Sequence, residues 1–282
     1  MTPSAFKSAL EALLTRSEAD DAHVYWLIDQ SALPAPPWLQ RHLQSVEWAD
    51  LLQPGEQVSL DGATPLVLSY VDRQQTLRFA TALFEVAQFA NAVSLLVCSS
   101  PLRELRNALA ARTRVVLSQN MQALLRFFDT RTLPQLPSVL SADQYALFMH
   151  GIDEWWFLDR WGDLQRMQHP STAWAQTASL PIALDERQEQ LLVDDGLSDA
   201  VIDLLITQRH PAVMDATPPQ QYELVQPLVA RAQRFGVSDP PQALAFVAKA
   251  LEQGADFHEC EPWAGKLALF AKGRCTLNEA LA

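Results

Sequence analysis

Two apolar runs joined by a helix, all within residues 92–131, constrain this chain more than any other part of it. Ala92-Val93-Ser94-Leu95-Leu96-Val97-Cys98 is apolar in both alternating registers. A strand reads that way when both of its faces are covered. Ser99-Ser100-Pro101 follows, with serine suited to a helix cap and proline to the first turn, and Leu102, Leu105 and Leu109 share one helical face. Met121 to Phe128 is again apolar on both faces, which predicts a second strand carrying one charge, Arg126. A guanidinium drawn into a partly buried setting needs a carboxylate, so Asp29 or Asp129 is its expected partner in a structural ion pair.

Strand and helix signals alternate around this block. Ser4 can cap a first helix with Phe6, Leu10, Leu13 and Leu14 on one stripe. His23 to Asp29 is rich in β-formers, and Thr64 to Val71 is the next strand. Pro34, Pro36 and Pro37 lead into a short helix bearing Trp38, Leu39 and Leu43. Leu77 to Ala90 carries only Arg78 and Glu85 as charges, so most of that helix must be covered. The expectation is an α/β N-terminal lobe over residues 1–165, a mixed or parallel sheet with helices packed on it.

From Ser141 the pattern changes. Asp153 to Trp161 reads as a last strand or a linker, and Gln168 to Ala183 as the boundary between lobes. Residues 166–282 then predict an all-α lobe. Its helices start at Ser198 or Asp199, run from Gln220 to Phe235 before Gly236, and run from Asp239-Pro240 to Gly254. Two short ones are expected over Trp263–Lys272 and Thr276–Ala282.

With 282 residues and 49% hydrophobic content, the chain can bury a large core and form two lobes. Lys plus Arg number 21 against 33 Asp plus Glu, a net charge of −12. Neither half is basic, so nucleic acid and anionic membrane surfaces are not expected partners. Cys98, Cys260 and Cys275 are odd in number, and Cys98 sits inside an apolar strand, as suits reduced thiols in a cytoplasm. The N-terminus lacks the layout of a signal peptide, and no apolar run approaches the ~18 residues of a membrane span. The expectation is a soluble, cytoplasmic protein.

The sequence carries no Gly-x-Ser-x-Gly, no His-Glu-x-x-His and no Gly-x-Gly-x-x-Gly after a strand. Gly265-Lys266 approximates a phosphate loop, but Leu267 follows where Ser or Thr is required, and Cys260 replaces the first glycine. His258, Cys260 and Cys275 lack the second close ligand pair that a zinc site presents. Asp153-Glu154 and Asp194-Asp195 are adjacent pairs that seldom face one pocket. Asp194, Asp195 and Asp199 suit the positive end of the following helix. No catalytic residue, metal or cofactor is therefore expected.

Arg126 and Arg131 could grip a phosphate, but an ion pair closing the corner is the preferred reading. Trp155, Trp156, Phe157, Trp161 and Trp174 are either lobe-interface core or a protein-binding surface. The candidates for protein contact are Trp155, Trp156, Trp161 and Arg131; the candidates for a structural ion pair are Asp29, Arg126 and Asp129.

These residues also resemble a known family. Val24-Tyr25-Trp26-Leu27-Ile28-Asp29, then Trp48 with Leu51 and Leu52, then Thr64-Pro65-Leu66-Val67 look like the opening of the type VI secretion effector adaptors, also called effector chaperones. Ser99-Ser100-Pro101-Leu102 and Leu125-Arg126-Phe127-Phe128-Asp129-Thr130-Arg131 resemble the most recognisable stretch of their N-terminal domain. The family usually shows Arg-Phe-Tyr-Asp-Pro-Arg there; Phe128 and Thr130 replace the tyrosine and the proline. Ala108-Leu109-Ala110 stands near the family's His-Leu-Arg, and Ser118-Gln119-Asn120 replaces an Asp-Gly turn. The resemblance spans roughly residues 22–160 and continues in Arg234–Asp239 and Gly254–Phe257.

The resemblance implies a non-enzymatic bacterial adaptor that binds a secreted effector and helps load it onto the valine-glycine-repeat spike protein. It implies a groove between the lobes, near Trp155, Trp156 and Trp161, that holds one effector segment. Two other readings stand beside it. One is a hydrolase acting on phosphorylated or sugar substrates through Arg126, Asp129 and Asp153; the other is a small-molecule sensor.

Overall fold

The structure is a computed structural model that describes residues 1–33, 46–52, 65–69, 73–171 and 177–282. The short helix expected around Trp38, Leu39 and Leu43 lies outside the described residues, as do Thr64, Tyr70, Val71 and Trp174. The chain divides into two compact units, Met1–Glu189 and Gln190–Ala282. Residues 166–189, assigned to the helical lobe from sequence, group with the first unit.

The first unit begins with α1 (Pro3–Ala19), capped by the Thr2 hydroxyl, which accepts from the Ala5 amide at 3.2 Å. The cap falls at Thr2 and not at Ser4 because Pro3 fills the first helical position, where its missing N–H costs nothing. Six strands then form one sheet among the described residues: β1 (His23–Asp29), β2 (Trp48–Asp50), β3 (Pro65–Ser69), β4 (Val93–Cys98), β7 (Glu154–Leu158) and β8 (Leu164–Arg166). Their spatial order is β2-β3-β1-β4-β7-β8.

Every neighbouring pair in this sheet is antiparallel. The sheet is therefore not parallel, and burial on both faces is what made β4 read that way. Helix α2 (Arg73–Ala87) packs with α1 over one face, where Phe6 stacks on Phe84 at 5.0 Å. Trp26, Leu95 and Trp156 lie in register across that face. The opposite face carries Tyr25, Leu96 and Trp155 in one row and Leu27, Ser94, Phe157 and Gln165 in another.

Helix α3 (Leu102–Arg112) follows β4 and buries Leu102, Leu105 and Leu109. Pro101 itself occupies the cap position, so no serine side chain caps it. A second, three-stranded sheet joins β5 (Arg114–Val116), β6 (Gln122–Leu124) and β9 (Ile182–Ala183) in the order β6-β5-β9, and the β5–β9 pair is parallel. Here the expectation for Met121–Phe128 is corrected. Only three of its residues form a strand, Met121 and Leu124 are about half exposed, and burial resumes at Leu125, Phe127 and Phe128. The chain leaves the hairpin, passes Thr113 through the Leu125 amide, and enters the core as irregular backbone. Two short helices close the segment, α4 (Leu136–Val139) and α5 (Ala142–Met149), the latter opened by a capping box between Ser141 and Gln144.

Helix α6 (Glu186–Thr207) starts twelve residues before Ser198. Asp185 and Gln188 exchange bonds between side chain and amide at 2.8 and 3.0 Å, a capping box that fixes the earlier start. Asp194, Asp195 and Asp199 consequently sit inside the helix and do not neutralise its N-terminus. The second unit continues with α7 (Pro211–Met214), α8 (Pro218–Arg234), α9 (Pro240–Gln253), α10 (Trp263–Phe270) and α11 (Leu277–Leu281). Its core gathers Val201, Leu205, Val225, Val229, Phe246, Val247 and Leu267. No described helix is long and apolar enough to cross a membrane.

Candidate functional site

The Arg126–Arg131 corner is built by what precedes it. Asp29 ends β1 almost fully buried, with its amide donating to the Ala92 carbonyl at 2.8 Å. Its carboxylate accepts from the Ser31 amide and hydroxyl at 2.9 and 2.5 Å, and from Arg126 Nη2 at 3.2 Å. The Arg126 side chain is 50% exposed and lies 5.5 Å from the Phe128 ring centroid, so the buried member of this pair is the aspartate. Asp129 pairs with Arg131 instead: both of its oxygens accept from that guanidinium, the shorter contact being 2.7 Å. The two arginines thus face different carboxylates, an arrangement in which each charge serves the local backbone.

Phe127 points the other way. Its ring meets Phe148 at 5.5 Å and Trp155 at 5.6 Å, both edge-on, while Phe148 and Trp155 stack at 5.5 Å. Trp155 has no exposed surface and cannot meet a partner without unfolding the sheet. Trp156 projects from the opposite face, half-buried, its indole N–H donating to Glu154 at 2.8 Å. Trp161 is different: it lies in the turn after β7 and is 49% exposed. Of the tryptophans singled out from sequence, the described residues leave Trp161 as the one that offers a broad ring face to solvent.

That turn is rigid by construction. Asp159 Oδ1 accepts from the amides of Trp161 and Asp163, both at 2.9 Å, and Oδ2 from Gln165 Nε2 at 3.0 Å. Gly162 adopts φ +75°, and a Cβ there would lie 3.0 Å from the Gln88 carbonyl oxygen and 3.1 Å from the Phe89 ring. Glycine is the residue that fits. Beside the turn opens a groove of about 630 Å³, walled by Pro134 and Pro137 on one side and by Phe157, Trp161, Gln165 and Met167 on the other. Its size is that of sites that take several side chains or a small ligand. Sequence reasoning missed Pro134, Pro137 and Met167. The available signal was the alternation in Glu154–Leu158 followed by Asp-x-x-Gly-Asp, a hairpin pattern.

Arg126, Asp129 and Asp153 are not brought together. The Asp29 amide and the Thr130 amide bond to Ala92 and Asn91 at one end of β4, whereas the Asp153 amide bonds to Val97 at the other. Five residues of strand separate those ends, roughly 16 Å. Near Asp153 lie two buried groups. Burial pushes the Cys98 thiol up to about 11, and burial pulls the Arg112 guanidinium down to about 10, still cationic at neutral pH. Arg112 donates one Nη2 bond to the His150 carbonyl. A thiol held neutral in this way is a poor nucleophile. His258 is buried against Phe235, Phe246 and Phe257, while Cys260 is exposed, and no described cluster of three His, Cys, Asp or Glu side chains could hold a metal.

Residues 24–147 match the family model described as a domain of unknown function, DUF4123. The match runs from β1 to within α5, so it includes the Arg126–Arg131 corner and the proline wall of the groove, and stops before β7, Trp161 and the second unit. No curated protein and no solved structure matches the chain.

Proposed function

We propose that this protein is a non-enzymatic adaptor that binds a type VI secretion effector in the cytoplasm and promotes its loading onto the valine-glycine-repeat spike protein. The reading is supported by the ordered motifs of residues 22–160 and by the family match over residues 24–147. The observation that carries it furthest is the division of labour in the first unit. The ionisable side chains of the conspicuous corner are tied to neighbouring carboxylates, while a proline- and tryptophan-walled groove stands open beside them. Such a surface suits the holding of a polypeptide, since exposed aromatic rings in concave, partly apolar sites are where binding energy concentrates. The separation of Arg126 and Asp129 from Asp153 removes the constellation that a hydrolase would have used.

The test is co-purification of the intact chain with the effector and the spike protein encoded beside its gene. A complex with the effector, and an effector-dependent association with the spike, are expected. Failure to bind either purified protein would overturn the proposal.

A further inference from the structure

We infer that the outer edge of β8 is the docking strand: an extended, basic segment of the bound polypeptide pairs with it and places an apolar side chain in the neighbouring groove. The inference rests on the adaptor reading and specifies where and how the partner is held. In strand order β8 is terminal, with β7 on one side and no strand on the other among the described residues. Asp163 and Met167 turn their backbone groups inward, to Asp159 at 2.9 Å and Trp155 at 2.8 Å. Antiparallel alternation then directs the N–H and C=O groups of Leu164 and Arg166 outward.

Open edges are normally guarded by a charged side chain, a proline or a covering element. The other end of the sheet is covered: Arg106 of α3 donates to the Asp50 carbonyl of β2 at 2.8 Å. Arg166 could have guarded β8, but it folds onto the other face, 5.7 Å from the Trp156 centroid and 3.2 Å from Glu154. Among the described residues the edge is therefore left ready to pair, and the groove between Pro134, Pro137 and Trp161 adjoins it on the Phe157–Gln165 face. Strand addition of this kind takes its affinity from main-chain bonds and its selectivity from side-chain pockets. With only three residues in β8, the pocket must contribute much of the discrimination.

Charge selects the occupant. The chain carries a net charge of −12, Asp159 and Arg166 both line the groove, and the Arg166 guanidinium is held by Glu154 at 3.2 Å, so it is not left to attract an acidic segment. A lysine- or arginine-flanked segment gains from that field, and an acidic one is repelled.

The full chain, with a photo-crosslinking residue placed at Gln165 or, as a control, at Leu124 on the exposed edge of β6, is mixed with the purified effector and spike encoded beside its gene. Crosslinks from Gln165 to one basic, extended segment are expected, together with a loss of affinity of about tenfold or more for Arg166→Pro, which removes an outward N–H. If Arg166→Pro fails to fold, the Gln165 crosslink alone decides. No complex with the wild-type chain overturns the adaptor reading itself. A complex that crosslinks through Leu124 and not Gln165, one that maps to an acidic or helical segment, or one unaffected in a folded Arg166→Pro variant overturns the β8 assignment and leaves the adaptor reading standing.

Discussion

Trp155 and Trp161 are six positions apart on one hairpin, yet they belong to different regimes. Trp155 is enclosed by Phe127, Phe148 and the sheet, with no surface left for a partner. Trp161 stands on a turn braced by Asp159 and Gly162, with half of its surface in water. The interior of the hairpin is spent on packing, and its tip keeps half of the Trp161 surface in contact with solvent. A residue type that marks both cores and interfaces is sorted by the strand's alternation and by where the strand stops.

The largest effect expected from breaking this contrast is Trp155→Ala. Losing a fully enclosed aromatic side chain should destabilise the fold by about 3–5 kcal/mol in chemical denaturation. A loss below about 1 kcal/mol would contradict the role of the Phe127–Phe148–Trp155 cluster as core.

Alkaline titration comes next. Burial pushes the Cys98 thiol up to about 11 and the Tyr145 hydroxyl up to about 12. Both groups are neutral in the folded state at pH values where the unfolded chain would ionise. Their stabilising contribution is therefore complete below the unfolded value near 9 and is lost as pH rises through the folded values. Melting temperature should fall from pH 9 to 11, and Cys98→Ala should flatten the lower part of that decline. For Cys98 the loss at the top of the window is roughly 2–3 kcal/mol.

A smaller effect is expected at the corner. Because Arg126 is half exposed and Asp29 keeps its bonds to Ser31, Arg126→Ala should cost about 1 kcal/mol, well short of the several expected for breaking a fully buried pair. A loss of 3 kcal/mol or more would show that Asp29 depends on the guanidinium alone. Smallest of all, Trp161→Ala should change stability by less than about 0.5 kcal/mol, since an exposed turn residue contributes little to the folded state.

Much of the architecture was legible from residues, for identifiable reasons. β4 and the first helix announced themselves through uninterrupted apolar runs and a regular stripe, and α9 through Asp239-Pro240. Met121–Phe128 is largely apolar like β4, apart from Gln122 and Arg126, and apolar content does not distinguish a central strand from a hairpin edge followed by irregular buried chain. Strand direction was not legible either: a strand covered on both faces looks alike in parallel and antiparallel sheets, and here β1–β4 and β4–β7 are antiparallel although not consecutive in sequence. The start of α6 lies upstream of the expected Ser198 because its cap is Asp185 with Gln188, whereas Asp194, Asp195 and Asp199 suit the N-terminus of a later-starting helix. The groove was the least visible feature. Its walls come from Pro134 and Pro137 on one segment and Met167 on another, and no local pattern joins them.

The most direct test of the central idea, that the chain works by gripping another polypeptide through its open surface, is calorimetric titration of the purified effector into wild-type protein and Trp161→Ala at matched melting temperature. A weakening of about tenfold or more with unchanged stability is the expected result. Equal affinity for both proteins would contradict it.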